Sequence, residues 1–267
     1  MANIDVKELL EAGAHFGHKT SHWHPGMAPY IHSERGGIYI IDLIKTQAQL
    51  EKALEFIKKE VALGKDILFV GTKKQLKQTT SSKAQEVSMP YVAERWLGGM
   101  LTNFATISTR IKHLKNLEEK LESGEFEESY NKREVAEFRE EAEKINEFFG
   151  GIKEMTKLPG LMFVADVVTE KTAIKEAKIL GIPVIGICDS NANPTDIDYV
   201  IPANDDALKT VEIITGYIVE AVKEGKAQRK AKTSAEPAKS PAKSGSAVPE
   251  ETEPNKTKNS TKSKKAK

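Results

Sequence analysis

Asp66-Ile-Leu-Phe-Val70-Gly71-Thr72 fixes the architecture. Four large apolar residues follow one another without polar alternation, then a glycine turns the chain into a polar, periodic stretch over 73–87. A strand that is apolar at successive positions is buried on both faces, which requires helices above and below a parallel sheet. The same cadence returns three times. Leu161-Met-Phe-Val-Ala165 and Asp166 lead into a periodic stretch over 168–180, Ile182-Pro-Val-Ile-Gly-Ile-Cys188 follows Gly181, and Tyr199-Val-Ile201 precedes another over 206–222. Upstream, the pattern predicts a helix near 6–12, a strand near 38–41 and a helix over about 46–63. The expected fold class is therefore α/β: a doubly wound, mainly parallel sheet with helices on both faces.

Residues 104–157 interrupt this body. Val135, Phe138, Ala142, Ile145, Phe149 and Ile152 fall at steps of 3, 4, 3, 4 and 3, and Ile107, Ile111, Leu114, Leu117 and Leu121 run at steps of 4, 3, 3 and 4. Each is a narrow apolar seam at heptad spacing, while about two dozen charges cover the remaining faces. Glu122-Ser-Gly-Glu125 reads as a helix stop and Ser129 as a new N-cap. The expectation is an antiparallel coiled-coil hairpin inserted before the strand at 161, better suited to assembly or recognition than to catalysis.

The end of the chain differs in kind. From Lys226 to Lys267 there is no Leu, Ile, Met, Phe, Tyr or Trp, so the segment is expected to be a disordered basic tail of Lys, Ala, Ser and Pro. It holds eleven Lys and one Arg against four Glu, a net of +8, which leaves −7 for residues 1–225 out of a whole-chain charge of +1. The predicted organisation is a first body part over 1–103, the hairpin over 104–157, a second body part over 158–225 and the tail over 226–267. Because the body is acidic, contact with nucleic acid must come from local basic patches, with the tail adding a salt-sensitive attraction to phosphate.

Several classes are set aside by simple features. The lone Cys188 excludes an internal disulfide framework and suits a reducing compartment. No apolar run approaches the roughly 18 residues of a membrane span, and the N-terminal stretch reads as an amphipathic helix and not a signal peptide, so the expected location is the cytoplasm. There is no GxSxG, HExxH or complete phosphate loop. Gly71-Thr-Lys73-Lys74 offers a nucleotide enzyme its one foothold, opposite Asp189, but a tight turn with exposed lysines explains it as well. Asp205-Asp206 reads as helix N-terminal charge.

Two stretches carry the binding chemistry. His15-Phe-Gly-His18-Lys19-Thr-Ser-His22-Trp23-His24-Pro25 reads as an irregular loop in which Trp23 and the imidazoles of His15 and His18 can stack on unpaired bases while Lys19 reaches phosphate. Alternatively, Trp23 and Phe16 cap the core. No metal is assigned here, although His18 with Asp189 and Asp205 is the set that could complete a site for a divalent metal such as zinc. No other cofactor is implied. The second stretch is Arg95-Trp96-Leu-Gly-Gly-Met-Leu-Thr-Asn103-Phe104, where Gly98-Gly99 allows close backbone approach and Asn103 can cap the first hairpin helix. With Arg110, Lys112 and Lys115 just beyond it, Arg95 forms the best local phosphate patch. A free scaffold that dimerises through the hairpin is the remaining alternative.

These stretches resemble the bacterial form of small-subunit ribosomal protein two, over nearly all of residues 5–222. The resemblance rests on Leu9-Leu-Glu-Ala-Gly-Ala-His-Phe-Gly-His18, Met27-Ala-Pro-Tyr-Ile31 with Ile38-Tyr-Ile-Ile-Asp-Leu43, Ile67-Leu-Phe-Val-Gly-Thr-Lys-Lys74, Arg95-Trp-Leu-Gly-Gly-Met-Leu-Thr-Asn-Phe104, and Pro183-Val-Ile-Gly-Ile-Cys-Asp189 continuing through Asn193-Pro-Thr-Asp196 and Ile201-Pro-Ala-Asn-Asp205. Residues 20–24 and Met100 depart from the commonest family wording. The resemblance implies a non-catalytic subunit, monomeric within the particle, at the head-to-body junction of the small ribosomal subunit. It also implies contact with small-subunit ribosomal RNA, neighbouring ribosomal proteins and the mRNA-binding protein built from repeated OB folds, with no membrane partner. Read from the residues themselves, the candidate RNA contacts are His15, His18, Lys19, Trp23, Lys73, Lys74, Arg95, Trp96, Asn103, Arg110, Lys112 and Lys115.

Overall fold

The computed structural model describes residues 4–235, with side chains described through 231. The chain opens with α1 (Val6–Glu11), capped by the Asp5 carboxylate on the Lys7 amide. It then forms β1 (Phe16–Lys19), β2 (Ile31–Arg35) and β3 (Ile38–Ile41), with 3₁₀ turns between the first two. These strands make a separate three-stranded antiparallel sheet in the order β1-β3-β2. The strand expected at 38–41 is thus present but lies outside the parallel sheet. The segment expected as an irregular loop begins with β1, Phe16 pairing with Ile40 and Lys19 with Ile38. Gly36 and Gly37, at φ of +62° and +76°, supply the positive φ that a tight β2–β3 turn requires.

The main body follows: α2 (Leu43–Ala62), β4 (Ile67–Val70), α3 (Lys77–Glu86) and β5 (Tyr91–Val92), then α4 (Phe104–Ser123), α5 (Glu125–Ser129) and α6 (Lys132–Phe149), then β6 (Leu161–Val164), α7 (Lys171–Ile179), β7 (Val184–Cys188), β8 (Tyr199–Pro202) and α8 (Leu208–Ala235). The sheet is five-stranded and parallel throughout, ordered β5-β4-β6-β7-β8. Successive side chains of each strand serve opposite faces. Ile67 and Phe69, with Leu161 and Phe163, pack beneath α2, α3 and α8; Leu68 and Val70, with Met162 and Val164, pack against α7 and the residues around Met100 and Ile107. Both faces are covered, which is why these strands read as unbroken apolar runs.

Between β5 and β6, α4 and α6 pack on each other through Leu114, Leu117, Val135 and Ala142, with Phe126 of α5 closing the far end. This cluster is separate from the two that flank the sheet, and half-buried Ile145 packs against both it and the sheet core. Gly124 adopts the left-handed conformation (φ 77°) and ends α4 as expected. The next cap is not Ser129, which closes α5; it is Asn131, whose side chain accepts from the Arg133 and Glu134 amides while Glu134 reaches back to the Asn131 amide. At the body end Gly151 passes so close to Tyr91 that a Cβ would overlap the Tyr91 carbonyl. The returning chain is also tied to α4 by Lys153–Glu118 and by Lys115–Glu154 at 2.9 Å.

The C-terminal boundary shifts. The tail expected from 226 begins instead as α8, which continues to Ala235. Gly225 fits against Val61, Lys226 donates to the Val87 carbonyl and Arg229 lies over Gly64, so the polar residues here are held by α2 and α3. The strong helix formers Ala227, Gln228, Arg229 and Lys230 suit that continuation. The rest of the expected tail, 236–267, lies outside the described residues.

Candidate nucleic-acid interface

The carboxyl ends of the parallel strands converge on a compact ionic cluster. Lys73, just after β4, extends its ammonium to Asp206 Oδ1 (2.6 Å) and Asp205 Oδ1 (3.0 Å), with Asp166 Oδ2 at 3.5 Å. Asp166 is fixed by the Val168 and Thr169 amides and the Thr169 hydroxyl, and Glu170 accepts from the Thr72 amide. Burial, reinforced by Asp166 and Asp189 and opposed by Lys73, pushes Asp205 up to about 7. Burial works against the Lys73 ammonium, but Asp206 and Asp205 outweigh it and hold its pKa above the ordinary lysine value. Lys73 is therefore an internal counter-ion that faces carboxylates and not solvent phosphate. That takes Lys73 away from the nucleotide reading and leaves exposed Lys74 as the remaining cation of the Gly71–Lys74 turn. Asp205 and Asp206 do precede α8, yet their role is to hold Lys73.

The histidine segment is stitched to the same place. The His18 amide donates to Ser190 Oγ (2.7 Å) and the His24 amide to the Ser190 carbonyl (2.7 Å). His18 Nδ1 lies 3.2 Å from Asp189 Oδ2 and its Nε2 lies 3.4 Å from Asp206 Oδ2, so the pair His18–Asp189 is brought together. The Asp189 carboxylate at 3.2 Å raises the His18 pKa, against burial and with help from Asp205 and Asp206. Among the described residues no group of three His, Cys, Asp or Glu is disposed to hold a metal ion. Asp205, the third member of the candidate metal set, is bonded to Lys73 instead. His15 lies 4.0 Å from the Phe16 ring, tilted by 39°, and burial lowers its pKa. Trp23 is half-buried against Tyr39 at 5.1 Å, and Lys19 is exposed.

The glycine-rich stretch owes its shape to a residue that the sequence reading did not single out. Buried Glu176 of α7 accepts from the Trp96 indole (3.0 Å), the amides of Gly99 (2.8 Å), Leu101 (3.0 Å) and Thr102 (3.1 Å), and the Thr102 hydroxyl (3.1 Å). Gly99 reaches this carboxylate at φ +89°. The close approach expected of Gly98-Gly99 is thus to a carboxylate of this chain. Trp96 is tethered, and Asn103 sits at the start of α4 but bonds the Thr106 hydroxyl (2.9 Å) and not a backbone amide. A Glu within an amphipathic helix pattern carries no local mark of such a role; its five donors lie more than seventy residues earlier.

The basic patch divides. Arg95 and Lys74 are exposed, and among the described residues neither they nor Arg110, Lys112 and Lys19 has a carboxylate within ion-pair distance. Arg110 and Lys112, two positions apart on α4, point to different sides of the helix, so they do not form one surface. Lys115 is paired with Glu154 and His113 bonds Glu141 (3.1 Å).

A parallel five-stranded sheet wound by helices on both faces, its strand ends filled by internal ion pairs and a helical hairpin beside it, defines the class as a doubly wound α/β protein. The chain matches the family Ribosomal protein S2 over residues 9–225 and belongs to that family. It is accordingly a structural, non-catalytic component of the small ribosomal subunit, in the cytoplasm, and functions in translation.

Proposed function

We propose that the protein binds small-subunit ribosomal RNA near the head-to-body junction through Arg95 and Arg110, with Lys19, Lys74 and Lys112 on neighbouring surfaces. The observation that carries this is the partition of the cations: these five are exposed and, among the described residues, have no carboxylate within ion-pair distance, whereas Lys73 and Lys115 are paired within the chain. Phosphate contacts need cations whose pairing with solvent ions can be exchanged for RNA. Trp23 and His15 lie at the surface of the antiparallel sheet, where a ring face can stack on a base. The arm formed by α4 and α6 acts as a coiled-coil reach toward RNA or protein, and the subunit helps to dock the mRNA-binding OB-repeat protein, contributing to assembly and initiation. Family membership supports these last roles.

Replacing Arg95, Arg110 and Lys112 together by Glu is expected to remove the chain from the small-subunit peak of a sucrose gradient. Unchanged co-sedimentation of that triple variant overturns the reading.

A further inference from the structure

The far end of the hairpin carries a groove that the RNA reading does not use. Tyr130, 47 % exposed, stands edge-on to Phe126 (5.6 Å, 73°) and to Phe138 (5.2 Å, 82°), and these two stack on each other at 4.5 Å. Lys120 lies 5.7 Å above the Phe126 ring. Beside the aromatic trio opens a cavity of about 410 Å³ lined by Glu127, Tyr130, Lys132, Val135, Ala136 and Arg139. Arg139 is held by Glu127 at 2.8 Å, so the floor is apolar and its rim nearly balanced. An exposed tyrosine wedged by two phenylalanines is a rigid anchor of the kind that dominates protein interfaces.

Charge selects the occupant. From Glu118 round the turn to Glu137 there are eight glutamates against Lys120, Lys132 and Arg133. Glu119, Glu122 and Glu128 are exposed and, among the described residues, have no cation within ion-pair distance. Over the whole stretch 118–147 the net charge is −7, which equals the excess of the entire body. Such a field repels a phosphate backbone and draws a polycation. We infer that the hairpin tip docks a basic segment of a neighbouring protein, one aliphatic or aromatic side chain of which enters the groove beside Tyr130 while its lysines and arginines face Glu119, Glu122 and Glu128. This does not rest on the RNA contacts proposed around Arg95 and Arg110, and the two can fail separately.

The test uses the full chain assembled into small subunits. Tyr130→p-benzoylphenylalanine places a photoreactive group at the groove, and Lys132→p-benzoylphenylalanine places a second one on its rim. Irradiation and mass spectrometry are expected to yield, from both positions, one protein peptide of net positive charge containing a large apolar residue. Adding Glu119→Lys, Glu122→Lys and Glu128→Lys should cut that yield by about tenfold or more at unchanged occupancy of the particle. If charge reversal impairs folding, the Gln variants of the same three exposed residues should still lower it about threefold. Cross-links to RNA, to an acidic peptide or to nothing, or a yield indifferent to these charges, overturn the inference.

Discussion

Trp96 Nε1 donates to Glu176 Oε1 at 3.0 Å, and through that bond a helix on one face of the sheet governs the loop from which the hairpin starts. Burial alone would raise the Glu176 pKa, but the bonds from Trp96, Thr102, Gly99 and Leu101 outweigh it and hold the group below the ordinary carboxylate value. Because the folded pKa is depressed, the stabilisation is present above the unfolded value and is lost as pH falls through the folded one. Glu176→Ala leaves the buried Leu101 amide and the part-buried Gly99 and Thr102 amides unpaired and should cost about 2–4 kcal/mol, with Glu176→Gln costing less. The urea midpoint, followed by tryptophan fluorescence, measures both.

The ionic cluster at the strand ends predicts the opposite pH trend at neutral pH. Asp205, near 7, and His18, above its ordinary value, both hold protons more tightly in the folded chain. Their contribution is therefore present at acid-to-neutral pH and is lost as pH rises, through the raised value in each case. Between pH 5 and pH 8 stability should fall by about 2 kcal/mol, and Asp205→Asn should flatten that slope. Denaturant titrations at the two pH values provide the check.

Gly151 cannot carry a side chain without moving Tyr91, since the added carbon would overlap backbone. Gly151→Ala should cost about 1–3 kcal/mol. Hydrogen exchange should speed up in α4 and α6 before it does in β4 or β6. Equal protection in both regions would show that the arm is not held here.

Asn131→Ala removes the side-chain half of the capping box, the acceptor for the Arg133 and Glu134 amides, and should destabilise α6 by about 1 kcal/mol. Ser129→Ala, by contrast, should change nothing measurable by circular dichroism.

Among the cations, Lys115→Ala should leave RNA affinity unchanged because Glu154 already neutralises that lysine. Arg95→Ala should weaken binding and lower the salt slope by about one. Filter binding across a salt series separates the two.

The parallel strands were legible because Ile67–Val70 and Leu161–Val164 are covered on both sides, and burial on both sides leaves an unmistakable run. The seams of α4 and α6 were legible for a related reason, a partner on one narrow stripe. What escaped was non-local. The sheet of β1, β2 and β3 is short and interrupted by 3₁₀ turns, and four of the five residues of β2 are exposed, so no period of two survives in Ile31–Arg35. Lys73 looked like a phosphate ligand until residues 132 and 133 positions away closed on it. Glu176 shows the same limit, since its five donors come from a loop that the sheet brings to it. The cations at Arg110 and Lys112 were read as neighbours because they are close in the chain, but a helix turns them apart.

The sheet order has one more implication. β5 and β6 lie on either side of β4, so the excursion that joins them straddles a strand, and its lower portion, with Ile107, Ile111, Phe149 and Ile152, is part of the body's own core. Beyond Ile145 the packing becomes self-contained. The outer portion thus behaves as a cassette: cut between residues 113 and 142 and closed by a turn of about 2–5 residues, it could be shortened, lengthened or exchanged while the wound sheet beneath it folds unchanged.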